Sequence, residues 1–351
     1  MNTLSFNIPP VSRELEAALR RRIDDKTKPI GSLGKLEDFV LRLGLMQGTL
    51  TPELKSPVVL VFAGDHGLAG EGASPYPPEV TKQMVLNYLG GGAAINAFTR
   101  QHRIAMKVID AGVASDLPSH ADLLPYKIRR GTRNALVEAA LTPNEVDLGL
   151  VRGAKIATAF IAAGHDALLL GEMGIGNTAV SALLISSLLG LPLDECVGRG
   201  AGHDDQGLAR KQKLCAQVRL RRGEIGDARA ALSAYGGCEI AMMAGAMLAA
   251  AQARKLVVVD GFISTAAAVV ASRIHPGVLD YCVFSHASAE SGHAKALHAL
   301  GMQPLVDLGF RLGEGTGAAV VWPLLVSATV FLREMATFSS AGVSEASVPK
   351  N

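Results

Sequence analysis

Two carboxylates in this chain sit in glycine-rich company. Glu314 lies in VDLGFRLGEGTG (306–317) between Gly313 and Gly315, and Glu172 holds the corresponding place in LLLGEMGIGNT (168–178). Each stretch is a largely apolar run, then an acid among glycines, then another apolar run. A strand that runs into a glycine turn and a helix sets such an acid at the strand's carboxyl end, where open α/β sheets hold their ligands. Two acids so placed suit one pocket lined from both sides. Taken singly, either Glu serves equally well as a helix cap.

GEMGIGNT (171–178) adds a second chemistry. Three glycines bring backbone amides close, Asn177 or Thr178 can cap the next helix, and helix N-termini attract phosphate. The run is neither a Walker A loop, since GK[ST] is missing, nor a dinucleotide GxGxxG, and simple capping and packing is the competing reading. The stretches 198–202 and 260–265 (DGFIST) can supply further amides and hydroxyls, or be ordinary turns. Asp65 with His66, the run His203-Asp204-Asp205, and His286 with His293 raise the thought of a metal. None has the spacing of a known ligand cluster, so no catalytic metal is expected. No GxSxG elbow occurs, and no cysteine sits in a reactive-looking turn. What remains suits a general base acting beside a phosphorylated sugar.

The elements that must position these residues follow from hydrophobic period. PVVLVFAG (57–64) is a continuous, valine-rich buried strand that exits at Asp65, His66 and Gly67. Further strands are expected at 105–111, 167–171, 255–261 and 279–285, with the 306–317 run ending in the same manner. Helical patterns fill the gaps, at 80–89, after the TPNE turn up to 160, and at 179–189, 204–220, 238–252, 262–271 and 291–300. At the chain start Ser12 is expected to cap a helix. A second helix follows in KPIGSLGKLEDFVLRLG (28–44), and with no strand close behind, this section reads as a small helical lobe. Strand–helix alternation argues for an α/β fold, a Rossmann-like, mostly parallel sheet with helices on both faces. A closed barrel is the alternative, but it needs eight strands, and an open sheet suits the count better.

Composition narrows the class. A chain of 351 residues that is 49% hydrophobic and 19% charged is an ordered α/β composition, not a disordered one. A net charge of +2, without a Lys/Arg stripe interleaved with aromatics, argues against a nucleic-acid partner. Cys196, Cys215, Cys238 and Cys282 lie far apart and read as free thiols of a reducing compartment. The N-terminus shows no basic segment followed by an apolar one. Of two uncharged runs, 173–193 is broken by Gly174, Gly176, Asn177, Gly190 and Pro192, and 318–332 falls short of the roughly 20 residues a membrane span needs. A cytoplasmic protein with no membrane partner is expected.

Several long blocks then resemble one family. KPIGSLGKLE (28–37), VFAGDHGLAGEG (61–72), YPPEVTKQMVLNYLGGGAAIN (76–96), GEMGIGNT (171–178), VGRGAGHDDQGLARK (197–211), DGFISTAAA (260–268), SAESGH (288–293), FRLGEGTGA (310–318) and MATFSSAGVS (335–344) are similar, in register, to the nicotinate-nucleotide–dimethylbenzimidazole phosphoribosyltransferases of cobamide lower-ligand assembly. The resemblance implies transfer of the 5-phosphoribosyl group from nicotinate mononucleotide to 5,6-dimethylbenzimidazole, with inversion at the anomeric carbon. It implies a homodimer whose large α/β domain (51–330) is joined by a small helical domain from both chain ends (1–50 and 331–351). By motif, Glu314 is the general base and Glu172 and Lys211 support it. Gly174, Gly176, Asn177, Thr178, Ser264, Thr265 and Gly315 fall on the phosphate and ribose side, and Tyr76 and Gln83 line the base pocket. No cofactor is called for, and a monophosphate donor needs no Mg²⁺. The alternatives are the same donor with another acceptor base or a phenol, and a non-catalytic nucleotide-binding protein. The chain departs from the family's more usual Thr at Ala179 and Ala201, losing a hydroxyl at each.

Overall fold

The computed structural model describes residues 5–344. Its sheet is centred on β1 (Pro57–Gly64), in which all eight residues are buried. Unbroken apolar burial is what a parallel strand covered on both faces requires. β2 (Ala105–Gly112), β3 (Leu123–Pro125), β4 (Ala167–Met173), β5 (Leu256–Val259), β6 (Cys282–His286) and β7 (Pro304–Val306) complete it in the order β3-β2-β1-β4-β5-β6-β7. Every strand pairing among the described residues is parallel, which bears out the Rossmann-like reading. The strand order reverses between β1 and β4, the switch point at which such sheets bind ligands.

Three parts depart from the sequence expectation. The strand expected at 279–285 begins only at Cys282, because Pro276–Tyr281 forms a 3-10 helix. β3 and β7 have three residues each, too short for alternation to be read. The 306–317 run is not a strand either. β7 stops at Val306, and Gly309, Gly313, Glu314 and Gly315 take φ values of +67°, +82°, +66° and +88°, which no strand contains. Glu314 therefore rides on a turn at the foot of a helix.

The chain divides into two compact units, Met1–Pro9 with Ser56–Val321, and Pro10–Lys55 with Trp322–Asn351. The second holds α1 (Glu16–Asp24) and α2 (Lys35–Gln47). Ser12 does not cap α1; its hydroxyl takes the Glu14 N–H at 3.3 Å, and the helix starts at Glu16 with no side-chain cap. Within this unit the two chain ends are tied together by an antiparallel bridge of Lys26 to Thr337 and by Lys26 Nζ, which donates to the Met335 carbonyl at 2.6 Å. Lys28 and Glu37 of the KPIGSLGKLE block form a buried ion pair of 2.8 Å. The first residues belong instead with the sheet, since Asn7 N–H donates to Gln252 Oε1 at 2.9 Å and Tyr281 Oη to the Pro9 carbonyl at 2.8 Å.

Around the sheet run α3 (Glu79–Leu89), α4 (Ala94–His102), α5 (Pro143–Ala162), α6 (Asn177–Leu189), α7 (Leu193–Cys196), α8 (Asp205–Arg222), α9 (Ala228–Tyr235), α10 (Cys238–Gln252), α11 (Phe262–Ile274) and α12 (Ser291–Ala299), followed by α13 (Thr316–Glu334). α5 starts on a capping box, with Thr142 Oγ1 accepting the Glu145 N–H and Glu145 Oε2 accepting the Thr142 N–H at 2.7 Å. α10 is buried from Cys238 to Ala251 and packs on α5. A Cβ at Gly153 or Gly245 would stand 2.7 Å from the Met242 carbonyl carbon or 2.8 Å from that of Leu150, so small residues let the two helices meet backbone to backbone. α10 and α11 lie against β4 and β5, while α3 and α4 reach β1, β2 and β4. Among the described residues α13 is the one helix long and apolar enough to cross a membrane, at 19 residues against the 15-residue run read from sequence. Of its most apolar window 56% is buried within the protein, as in a core helix.

Candidate active site

The site is built on Gly171 of β4. A Cβ there would stand 2.5 Å from the Glu314 carbonyl carbon and 2.6 Å from the Gly315 nitrogen. Only a glycine lets the Glu314 turn lie directly on the strand. The next residue, Glu172, is buried and closes over that turn: the Glu314 amide faces its carboxylate, Asn177 Nδ2 donates to Oε2, and Oε1 packs on Gly313. Burial, with Asp260 and Glu239 nearby, pushes Glu172 up to about 8.

Asp260, just past β5, holds the other end of the turn. Its Oδ2 accepts the Gly315 N–H at 3.1 Å and its Oδ1 the Ala318 N–H at 3.0 Å. A carboxylate from a neighbouring strand thus caps α13, where the helix dipole favours negative charge. Glu314 is fixed between these two acids in a left-handed conformation (φ +66°) that non-glycine residues seldom adopt. It is buried, and Oε2 has no hydrogen-bond partner. Burial raises its pKa, the approaching Tyr88 hydroxyl and the Ile95 amide oppose that rise, and Asp260 adds to it. A carboxylate held in place with one oxygen, Oε2, left without a partner is equipped to accept a proton.

A cavity of about 750 Å³ opens at this sheet edge. Its polar wall comes from the turn after β4 (Gly174, Asn177, Thr178), from Gly200 and Ala201, and from Ser288 and Glu290. Residues 309–314 form a strap along it, and Val80, Met84, Phe98 and Phe262 make an apolar wall. A concave, mostly apolar chamber with a few convergent polar groups is the usual form of a small-molecule site.

Of the residues expected from sequence, Tyr76, Glu172, Gly174, Asn177, Thr178 and Glu314 border the cavity. The others stand back from it for identifiable reasons. Gly176 is the N-cap of α6 at φ +94° and packs against Ala69, so neither Asn177 nor Thr178 caps the helix. Gly315 turns its amide to Asp260. Lys211 is fully buried behind the wall, donating to Thr178 Oγ1 at 2.7 Å and to the Gly198 carbonyl at 2.9 Å; burial lowers its pKa. Ser264 Oγ donates to the Leu170 carbonyl at 3.1 Å. Thr265 Oγ1 pairs with His293 Nε2 at 2.9 Å. Gln83 is exposed on α3, where Val80 and Met84 face the cavity in its place. Of the two departures from the family pattern, Ala201 borders the cavity and Ala179 is buried away from it.

The other candidate clusters have structural partners. Asp65 Oδ2 accepts the Ala114 N–H at 2.7 Å. His66 Nε2 lies 2.7 Å from Glu239 Oε1 with both side chains fully buried; burial works against the charged ring, but Glu239 and Asp65 together outweigh it and raise the pKa. Asp204 caps α8, and Asp205 pairs with Arg199. His203 Nε2 sits 3.3 Å from the Ala73 carbonyl. His293 Nδ1 accepts the Ser288 N–H at 2.8 Å, which leaves its proton on Nε2, and burial drives its pKa down to about 3. Among the described residues no group of three or more such side chains is arranged to hold a metal ion.

Three site residues are not singled out by sequence, and a fourth, His286, is raised there only as a possible metal ligand. Asp260 is visible there only as one of several polar strand exits. His286 lines the cavity from β6, edge-on to Phe310 at 5.6 Å between ring centres, and burial lowers its pKa. Glu290 and Arg311 border the cavity inside the blocks SAESGH and FRLGEGTGA, where nothing in spacing marks them out.

Comparisons with known proteins identify the family. A family model described as Phosphoribosyltransferase (DBI_PRT) matches residues 8–343. The nicotinate-nucleotide–dimethylbenzimidazole phosphoribosyltransferase of Dechloromonas aromatica is 54% identical over 344 residues, covering 97% of this chain and 99% of that protein. The enzyme of the same name from Cupriavidus taiwanensis is 52% identical over 340 residues, covering 97% and 98%. Among solved structures, CobT from Thermus thermophilus matches with a TM-score of 0.91 at 45% identity, over 95% of this chain and 100% of that one. By sequence over almost its whole length, and by fold, this chain belongs to the nicotinate-nucleotide–dimethylbenzimidazole phosphoribosyltransferase family.

Proposed function

We propose that the chain transfers the 5-phosphoribosyl group of nicotinate mononucleotide to 5,6-dimethylbenzimidazole, releasing nicotinate, with Glu314 as the general base. The observation that carries the role of Glu314 is its carboxylate: buried, oriented by a strained turn, and unpartnered at Oε2 on the wall of the cavity. The unprotonated imidazole nitrogen of the acceptor forms the new bond to the anomeric carbon. As it does so the carbon–nitrogen bond to nicotinate breaks, and its electron pair returns to the ring. The ring nitrogen starts positively charged and leaves neutral, so departure needs no acid. The remaining N–H of the acceptor passes its proton to Glu314, which makes the attacking ring a better nucleophile. Much of the rate then comes from holding two flat rings on opposite sides of the ribose.

Other residues act through position. Glu172 and Asp260 clamp the two ends of the Glu314 turn, and Lys211 fixes Thr178 and the 198–200 loop from behind. The donor phosphate fits the 174–178 turn, where the first amides of α6 have no side-chain cap. The apolar wall of Val80, Met84 and Phe98 suits the methylated ring of the acceptor. The working form is a cytoplasmic homodimer without cofactor or metal, with the helical unit as its small domain. Sedimentation should then give a mass near twice 36.6 kDa, and a monomer at working concentration would refute the dimer.

The test is a product assay with nicotinate mononucleotide and a panel of benzimidazoles, purines and phenols. Wild type should release nicotinate and favour the dimethylated benzimidazole. Glu314→Gln should bind both substrates with turnover reduced by about 10²–10⁴-fold. Near-normal turnover would sink the role of Glu314.

A further inference from the structure

Basic groups are scarce around the cavity. Among the described residues Arg311 is the one lysine or arginine that borders it, beside the acids Glu172, Glu290 and Glu314. Arg311 is exposed, and its side chain makes no ion pair or hydrogen bond among the described residues. A guanidinium on the border of a substrate-sized cavity, with no carboxylate among the described residues paired to it, points to an anion that it must receive. The donor offers two, the phosphate and the ring carboxylate.

The surroundings of Arg311 separate them. The uncapped α6 N-terminus that suits the phosphate belongs to the β4–α6 connection, whereas Arg311 rides on the strap between β7 and α13. On that strap Arg311 stands between Phe310 and Leu312, both of which also border the cavity. Phe310 is anchored, its carbonyl accepting the Ala289 N–H at 2.9 Å and its ring meeting His286 edge-on. A guanidinium flanked by an aromatic and an aliphatic side chain matches a flat aromatic acid. The ring packs on the apolar neighbours, and the carboxylate takes the two-pronged guanidinium contact. A phosphomonoester has no ring for those neighbours to hold.

We propose that Arg311 receives the ring carboxylate of the pyridine nucleotide and so selects nicotinate mononucleotide over its carboxamide counterpart, an assignment that rests on the phosphoribosyl-transfer reading above. A carboxamide is neutral and presents an N–H₂ group where the acid presents a second acceptor oxygen. The guanidinium therefore loses one hydrogen bond and the charge attraction together.

The experiment measures kcat/KM for nicotinate and nicotinamide mononucleotides, at one saturating acceptor concentration, on wild type, Arg311→Lys and Arg311→Gln. Being exposed, position 311 tolerates both replacements in the fold. Wild type should favour the acid donor. Arg311→Gln should lose about 10–100-fold with the acid donor and less than twofold with the amide donor, so that the preference collapses, with Arg311→Lys in between. Equal loss on both donors would assign Arg311 to the phosphate and overturn the proposal, as would no loss on either or no preference in wild type. Calorimetric titration of the full chain with free nicotinate and free nicotinamide keeps the two readings apart. If no donor is turned over at all, the transfer reading fails. The Arg311 assignment still stands or falls on whether wild type prefers nicotinate and Arg311→Gln does not.

Discussion

Gly171→Ala is the sharpest test of how the site is held. The new methyl would lie 2.5 Å from the Glu314 carbonyl carbon, in a place where ordinary contact needs about 3.5 Å. One side must give by about 1 Å. β4 cannot move easily, because it is hydrogen-bonded to β1 and β5 on its two edges and six of its seven residues are buried. The turn gives way instead, taking Glu314 with it. Misplacing a reacting group by about 1 Å costs on the order of 10²-fold in rate, and overpacking a core costs about 1–3 kcal/mol in stability. Nicotinate release at saturating substrates should therefore fall about 100-fold, while the thermal midpoint drops by only a few degrees. Gly70→Ala is the control, since its Cβ would meet nothing within 4 Å, and both quantities should stay at wild-type values. If Gly171→Ala turned over within threefold of wild type at a temperature where it is folded, the turn would not need this strand, and the clamp account would be wrong.

Three further outcomes follow from the buried acids. Since burial raises Glu314 and a base must be ionised to act, kcat/KM should climb with pH along a limb lying above the ordinary carboxylate range; a limb near 4–5 would contradict the burial argument. Glu172 is neutral when folded up to about 8, so the stability linked to its neutral form is complete below its unfolded value of about 4.5 and is lost as pH rises through 8. The full loss is about 5 kcal/mol, so Glu172→Gln should gain on wild type in denaturant melts from pH 5 to pH 9, and parallel curves would count against the shift. Asp260→Ala leaves the Gly315 and Ala318 amides without their acceptor, and should cost about 2–4 kcal/mol together with most turnover. An unchanged melting midpoint would show that α13 is capped by something else.

How much of this is legible in the sequence depends on where each interaction lives. β1 and α10 can be read to within a residue of their ends because their burial is unbroken, and burial is written in consecutive letters. β7 and the Glu314 turn mislead for the opposite reason. The apolar letters of 306–312 resemble a strand, but the glycines at 309, 313 and 315 spend their freedom on left-handed φ, and sequence does not say which way a glycine turns. Glu172 and Glu314 can be paired from matching contexts, and the structure joins them through Gly171, a residue whose role is to be absent beyond Cα. Asp260 cannot be joined to them from sequence. Its partners lie more than fifty residues away and are backbone amides, so no side-chain type at 315 or 318 announces the contact. The same holds for Thr265, whose hydroxyl suggests a ligand contact until His293 is found 2.9 Å away. Residue type and spacing thus reveal which groups can do chemistry, while the groups that aim them are found only once the strands are laid side by side. In this site the aiming groups are two carboxylates, Glu172 and Asp260, and a missing side chain at Gly171, so the proposed base, Glu314, is set by the sheet and not by its own loop.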